Sequence, residues 1–579
     1  MKKAWRGWQG AGLVCALSAA GMLAAGRVQA ADGAPVSTPP VVPRATDLAP
    51  KPAPQAQDAA LPERAVAPEL QKPEDEIVLD VTAYRLPDTA PEKLRQALAA
   101  ITAPYVGKGK TWEDLVNAKD AVARYLQSEL GYYLGYAYIP AQKAAGGVVD
   151  IAILEGRLDR VKLVWGDNLA IDRGIVEGYL AQLKPGAILT VSEVERVVFL
   201  VNDLRGVNAR FEIEPGGQPG TANVIVRVQP EQRFQYRVDA DINGSRFIGQ
   251  ERLGAQMLIG NPLGKGDSLS LSALTSYNSG MRFFLAGYNL PVGVSGLRLG
   301  GAVSAVRYEL DREAFPIGRH GTALNANLFG LYPVIRSRNL NLYGLLAFDE
   351  KRYDDREDAS QSKTKKTVRS LGLAFNGDVR DNLMGGGVNS YDVGVSGGSV
   401  SYDGGRPSGL LDAPNYTKVS GSFARIQNVL TGDLLGYVSL RGQYAFKNLD
   451  TTEQFRLGGP DGVRAFANGE GTGDAGFIVT AELRAPLPAS VFGRWGRETV
   501  VALFYDHGTI YYRHDRDQDT TLAGLDNRAR YAGYGVSIAW SRPGAYALRA
   551  SLASPTIGEP KSDTKKPNPR AYLQFSAFF

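Results

Sequence analysis

Residues 234–242 read FQYRVDADI, and this alternation of apolar and polar side chains decides the fold. Phe234, Tyr236 and Val238 fall on one face of an extended segment, and Arg237 and Asp239 fall on the other. Successive side chains of a β-strand point to opposite faces, so this segment predicts a strand with one apolar and one polar face. The wall of a membrane barrel needs that pattern, with lipid outside and water inside.

The same alternation recurs to the end of the chain. Sixteen such segments can be counted over residues 233–579, and the last places Leu573, Phe575 and Phe579 on one face. The region is therefore predicted to be a 16-stranded antiparallel transmembrane β-barrel, and the protein to be mainly β. A soluble β-sandwich would not explain why short turns (261–267, 291–296, 541–544) alternate with long polar connections (351–366, 400–414, 447–475, 508–530, 554–570).

The first 75 residues carry targeting and linker features. Lys2, Lys3 and Arg6 precede a short apolar stretch and a Val-Gln-Ala sequence at 28–30, which together predict a secretory signal peptide over residues 1–30. Cys15, the only cysteine, lies in this segment, so the mature chain is predicted to have neither disulfides nor thiolate metal sites. Residues 31–75 are rich in Pro and Ala and are predicted to form a linker.

Two small α+β units are predicted between the linker and the barrel, over residues 76–158 and 159–232. Each reads as a strand, two helices and two further strands. Ser192 and Glu195 have the spacing of a capping box, which predicts the start of the last helix of the second unit. The repeated order of elements indicates two copies of one domain type.

The connection before the twelfth barrel segment reads LGGPDGVRAFANGEGTGDAGFIVTAELRAPL over 457–487, and FYDHG follows at 504–508. This pattern resembles the sixth outer loop of the outer-membrane assembly and two-partner secretion superfamily, whose tip is Val-Arg-Gly-Tyr/Phe. Here the tip is Val463, Arg464, Ala465 and Phe466. Ala465 stands in place of glycine, which would make a left-handed backbone at this position costlier.

The α+β units resemble the polypeptide-transport-associated (POTRA) domains of the same superfamily. The resemblance rests on GYYLGYAYIPAQKAAGGVVDIAILEGRLDRV at 131–161. Two POTRA domains ahead of sixteen strands are the arrangement of two-partner secretion transporters, whereas general barrel-assembly factors usually carry more. The chain is therefore identified as resembling the two-partner secretion transporters.

The alternation by itself places Glu482, Arg484 and Asp506 on the luminal face of the barrel. The resemblance implies that the loop folds back into the barrel and that Arg464 pairs with Asp506. Val463, Arg464, Ala465 and Phe466 are thus the candidate secretion loop, and Asp506, Glu482 and Arg484 are its candidate neighbours in the lumen.

Enzyme motifs occur but lack the context that catalysis needs. Gly394, Ser396 and Gly398 satisfy G-x-S-x-G, yet they lie in an alternating barrel strand rather than a strand–turn–helix. The three histidines, His320, His507 and His514, have no metal-ligand spacing. We therefore predict no catalytic residues, no metal and no cofactor. The small, interspersed net charge of +5 gives no indication of nucleic-acid binding.

The resemblance implies an outer-membrane transporter with its POTRA domains in the periplasm. It would bind a large unfolded exoprotein, of adhesin or cytolysin type, and export it through the barrel. Further expected partners are outer-membrane lipid and the barrel-assembly machinery, the latter through Phe579. The loop at 447–475 would occupy the pore at rest, and the linker is a weaker candidate for plugging it. A barrel-insertion factor of the same superfamily and a passive porin remain as alternatives.

Overall fold

The computed structural model describes residues 70, 72, 78–142, 145–218, 220–278, 280–313, 317–429, 434–518, 526–561 and 567–579. The predicted signal peptide and almost all of the predicted linker lie outside these residues. Two compact units divide the chain, an α+β unit that ends at Glu231 and a barrel unit that begins at Gln232. No helix among the described residues is both long and apolar enough to cross a membrane.

The first α+β domain pairs its short strands two by two around two helices, α1 and α2. Strands β1 and β3 pair, β2 runs parallel to β5, and β4 pairs with β6. The side chain of Thr111 caps α2 and accepts from the backbone of Asp114, and Leu115, Val122 and Leu126 are buried beneath this helix. The elements are β1 (Leu79–Val81), β2 (Ala83–Arg85), α1 (Glu92–Thr102), β3 (Gly107–Lys110), α2 (Trp112–Ser128), β4 (Tyr136–Tyr138), β5 (Val148–Asp150) and β6 (Ala152–Leu154).

The second α+β domain packs two helices on a three-stranded sheet of order β7-β9-β8. Helix α4 is capped by Thr190, whose Oγ1 accepts from the backbone of Glu193 at 3.3 Å. The predicted Ser192 cap is therefore wrong, because Thr190 and Glu193 have the same Thr-x-x-Glu spacing two residues earlier. The elements are β7 (Arg157–Trp165), α3 (Arg173–Leu180), α4 (Val191–Asp203), β8 (Val207–Pro215) and β9 (Thr221–Pro230), so the predicted domain boundary after residue 158 falls inside β7.

Sixteen strands form a closed antiparallel barrel, which confirms the predicted fold class. Two further strands, β21 (Phe455–Arg456) and β22 (Thr472–Gly473), pair with each other between β20 and β23. The barrel strands are β10 (Phe234–Asp241), β11 (Arg252–Gly260), β12 (Ser268–Ser276), β13 (Met281–Pro291), β14 (Arg298–Glu309), β15 (Arg319–Arg336), β16 (Leu340–Glu357), β17 (Ser362–Asp381), β18 (Gly387–Tyr402), β19 (Asn415–Val429), β20 (Leu434–Ala445), β23 (Ala475–Pro486), β24 (Thr499–Tyr511), β25 (Arg528–Arg542), β26 (Tyr546–Ile557) and β27 (Arg570–Phe578).

The barrel closes where β10 pairs with β27. Tyr236 and Phe579 exchange both of their backbone hydrogen bonds there, at 3.1 and 3.0 Å. Large apolar side chains are exposed on the outer wall, for example Leu503 at 61%, whereas its luminal neighbour Asp506 is fully buried. The predicted alternation is therefore observed. A helix, α5 (Ala489–Glu498), connects β23 to β24 at the end of the barrel that carries Phe579.

The connection predicted at 351–366 is a strand hairpin rather than a long loop. Strand β16 continues to Glu357 and β17 starts at Ser362. The prediction was wrong because charged side chains can continue the strand alternation as well as apolar ones. In the structure Lys351, Tyr353 and Asp355 keep the alternation and point inward, where Tyr353 and Asp355 are buried.

Candidate functional site

The segment between β20 and β23, residues 446–474, is here named the inner loop. It carries the short hairpin of β21 and β22. Leu457, Val463 and Phe466 of the loop are fully buried and belong to one apolar cluster with Ile478 and Phe504 of the barrel wall. Because apolar side chains gain free energy when they leave water, this packing holds the loop against the inside of the barrel.

Arg464, at the tip of the inner loop, binds the wall residue Asp506 through three hydrogen bonds. Its Nε donates to Oδ2 and its Nη2 to Oδ1, both at 2.8 Å, and its backbone N–H donates to Oδ2 at 3.1 Å. The guanidinium also lies 3.3 Å from the centroid of the Phe504 ring. Such a bidentate contact fixes both distance and orientation, which a lysine could not do.

A second carboxylate completes the contact. Arg464 Nη1 lies 2.8 Å from Oε1 of Glu482, and Arg484 lies 2.7 Å from Oε2 of the same glutamate. Thr480 donates to Asp506 at 2.9 Å. The cluster thus sets two guanidinium groups against two carboxylates. Within the described residues Arg484 makes no ion pair or hydrogen bond with the inner loop, so it supports Glu482 from the wall.

Burial makes this cluster sensitive to the loss of one member. The side chain of Asp506 is fully buried, and those of Glu482 and Arg464 are 8% and 11% exposed. Removing one partner from a buried ion pair costs about 3–5 kcal/mol, because the remaining charge has no water to solvate it. The tip of the loop is therefore held to the wall by the ion pairs of Arg464, and the loop residues around Arg464 are held by apolar contacts.

Ala465 packs where the loop meets the wall. It is not among the described residues that adopt a positive φ, so the cost expected for replacing glycine does not arise. A Cβ added at Gly533 would lie 2.4 Å from the Cβ of Ala465, so the wall carries the glycine that this contact needs. Phe466 completes the tip: its ring lies 4.6 Å from that of Tyr531, and its carbonyl accepts from the Tyr572 hydroxyl at 2.6 Å.

A second group of buried ions fastens the first arm of the inner loop, and the sequence motif does not predict it. Glu453 lies 2.8 Å from Lys351 Nζ and 2.9 Å from Lys418 Nζ. Asp450 lies 2.7 Å from Lys366 Nζ, and that lysine side chain is fully buried. Inward-facing lysines at alternating positions of β16, β17 and β19 were the only signal in the sequence. Their acidic partners lie in an irregular segment.

The described cluster brings fixed charges of both signs together, and its contacts join the tip of the inner loop to the luminal wall. A closed membrane barrel, an ion-paired loop folded into it and preceding POTRA-like domains together define a protein of the outer-membrane transporter and assembly class.

The chain belongs to the haemolysin secretion/activation protein family ShlB/FhaC/HecB, whose family model matches residues 220–530. A model of the ShlB-type POTRA domain matches residues 79–156. Members of this family are two-partner secretion transporters of the outer membrane, with POTRA domains in the periplasm, and they act with secreted exoproteins. The outer membrane is accordingly the location of this chain.

Two relatives match over most of their length. The heme/hemopexin transporter protein HuxB of Haemophilus influenzae is 24% identical over 475 residues, covering 80% of this chain and 81% of the relative. The outer membrane transporter CdiB of Dickeya dadantii is 25% identical over 462 residues, covering 76% and 79%. Among solved structures, CdiB from Escherichia coli superposes with a TM-score of 0.67 at 19% identity, covering 90% of this chain and 94% of that one. This last likeness supports the fold.

Proposed function

We propose that this chain binds an unfolded exoprotein in the periplasm through its POTRA domains and exports it through the barrel. The observation that carries this proposal is the inner loop, which is fastened inside the lumen by Arg464, Asp506 and Glu482. A loop held by a few ionic contacts can be released and fastened again. Val463, Ala465 and Phe466 seat the tip, and Arg484 holds Glu482 in place.

The second α+β domain offers a surface that suits the binding of an extended client. In the described part of the chain, β8 pairs only with β9 and lies at the edge of its sheet. The side chain of Asn202 already bonds the N–H and C=O of Ala209, but the rest of this edge presents backbone groups to which an extended peptide can add as a further strand. Strand addition depends mainly on the backbone of the client, so it suits an unfolded chain of varied sequence.

The direction of transport needs a source of free energy, and folding of the exoprotein outside the cell supplies one. A folded domain is more stable than its unfolded chain by about 5–15 kcal/mol. Once a segment folds outside, its return through the barrel requires unfolding, which makes backsliding unfavourable. The proposal therefore needs neither nucleotide nor cofactor.

The test is to search the neighbouring reading frames for a large signal-bearing exoprotein, to express it with the chain, and to measure it in the medium and on the cell surface. Omitting the chain should leave the exoprotein in the periplasm. Arg464→Ala should give a folded, heat-modifiable barrel that exports much less, because Asp506 and Glu482 lose their common partner. Arg369→Ala is the matched control, since it removes an arginine from an exposed wall pair with Glu350 that lies outside the inner-loop cluster, and it should export nearly normally.

Three results would contradict the proposal. Undiminished export by Arg464→Ala would remove the role given to the loop contact. Accumulation of unassembled outer-membrane proteins on deleting the gene would favour a barrel-insertion factor instead. A passive porin would conduct small solutes and leave the exoprotein's location unchanged.

A further inference from the structure

The outer wall of the barrel carries a basic groove of about 670 Å³ at the end away from Phe579. Strands β13 to β17 form it, where β13 begins, β14 ends and the hairpin of β16 and β17 extends beyond its neighbours. Its exposed cations point away from the lumen, on the faces that also carry the exposed Phe284 and Leu324. They are Arg282, Arg307, Arg352 and Lys365.

Arg282 and Arg307 lie directly opposite each other on β13 and β14. Side chains at such positions are neighbours, with Cβ atoms roughly 4.5–5.5 Å apart, and like charges there repel. Both side chains are exposed, and within the described residues neither makes an ion pair or a hydrogen bond with another residue. Thr275 and Thr322, which flank them in register, carry no charge. An anion bound between the two guanidinium groups would relieve the repulsion.

The other groups of the groove leave an excess of positive charge. Arg352 is paired with Glu350 at 2.5 Å, and Lys365 lies 4.0 Å from Asp354. Asp403 adds a second carboxylate to the lining. Asp403 pairs with neither Arg282 nor Arg307, and these two arginines have no ion-pair partner among the described residues, which places the preferred anion between them.

The groove lies at the outer edge of the lipid-facing surface. Phe284 follows Arg282 by two residues along β13, towards the middle of the barrel wall, and is 50% exposed. Val303 on β14 is 53% exposed. Side chains of this kind form the apolar band that contacts acyl chains. Basic side chains at the boundary of such a band meet lipid headgroups. The outer leaflet of this membrane is built of phosphorylated glycolipid.

We propose that this groove binds the phosphorylated headgroup of an outer-leaflet glycolipid. Arg282 and Arg307 take a phosphate between them, because the guanidinium fork matches phosphate oxygens and forms strong charge-assisted hydrogen bonds. The acyl chains of the same molecule lie against Phe284 and Leu324. Arg282 and Arg307 make no contact with the inner loop among the described residues, and the proposed site does not depend on what the barrel exports.

The test uses the full chain purified in detergent, with lipid binding followed by native mass spectrometry and by the shift in melting temperature. Bisphosphorylated lipid A is the probe, and dephosphorylated lipid A, phosphatidylglycerol and inorganic phosphate are the comparisons. The combined Arg282→Gln and Arg307→Gln variant should bind bisphosphorylated lipid A about tenfold more weakly, as expected for the loss of charge-assisted hydrogen bonds. Arg312→Gln is the control, because Arg312 is exposed and paired with Asp358 outside the groove.

Each outcome decides the assignment once heat-modifiability shows that the variants are folded. Weaker binding in the double variant and unchanged binding in Arg312→Gln support the site. Equal binding of dephosphorylated lipid A, or of phosphatidylglycerol, would overturn the assignment to a phosphorylated glycolipid. Equal affinity for inorganic phosphate would show that the groove binds anions without recognising a glycolipid. Unchanged binding in the double variant would show that Arg282 and Arg307 do not form the site.

Discussion

At the tip of the inner loop, the methyl group of Ala465 limits how closely the loop can approach the barrel wall at Gly533. The Cβ of Ala465 lies against Gly533 of β25, where any added side chain would collide with it. Arg464, Asp506 and Glu482 could be predicted from the sequence, because a recognisable motif and the strand alternation locate each of them. Gly533 could not, since no local pattern connects two residues that meet only after the loop folds back.

Gly533→Ala is expected to displace the tip of the loop. The new Cβ would come within 2.4 Å of the Ala465 Cβ and 2.8 Å of the Ser554 carbonyl oxygen. Overpacking of this kind costs about 1–3 kcal/mol, so the melting temperature and exoprotein export should both fall. Combining it with Ala465→Gly removes the nearer clash and should restore part of each. A double variant no better than Gly533→Ala alone would contradict the assigned contact.

Among the elements, the barrel strands could be predicted from the sequence. Of the two contacts that anchor the inner loop, the one at its tip could be predicted and the one on its first arm could not. Two-residue periodicity located the strands because lipid and water impose it along the barrel wall. The ends of β16 and β17 were missed, since their inward charges face the inner loop rather than solvent. Lys366 and Lys351 reach Asp450 and Glu453, and these contacts are set by the path of an irregular segment.

The pair of Lys366 and Asp450 tests this anchoring by a double-mutant cycle. Lys366→Met should destabilise the barrel by about 3–5 kcal/mol, because it leaves the buried Asp450 carboxylate without its cation. Asp450→Asn should also destabilise, since it leaves a buried ammonium group. The combined variant removes both charges and should be more stable than either single variant. Thermal unfolding of the full chain in detergent measures all three, and simple additivity would show that the two side chains do not act as a pair.

For the whole molecule, the decisive question is whether the inner loop moves when the barrel exports its client. The structure fastens this loop twice, at the tip by Arg464 and along its first arm by Asp450 and Glu453. Two separate ionic attachments hold the loop more firmly than either alone, and both are formed with the luminal wall. A client that passes through the lumen must therefore compete with these contacts or find space beside them.

A disulfide between the loop and the wall distinguishes these two routes. A Cβ added at Gly508 would lie 3.1 Å from Cγ2 of Val463, and a cysteine Sγ takes nearly the same place as that methyl group. Cys15, the only native cysteine, lies in the predicted signal peptide, so no other thiol of the mature chain should compete. The oxidised Val463→Cys and Gly508→Cys double variant should remain a heat-modifiable barrel but export little exoprotein. Reductant should restore export, because it frees the loop.

The two single-cysteine variants are the controls for this lock. Each carries its own part of the local change in packing, and Gly508→Cys includes the crowding of Leu457 that any side chain at residue 508 brings. Since neither can form the bond, their export should be insensitive to oxidant. If the oxidised double variant exports as well as the reduced one, the loop stays in place during export and the client passes beside it. The ion pairs of Arg464 would then serve to shape the conduit rather than to close it.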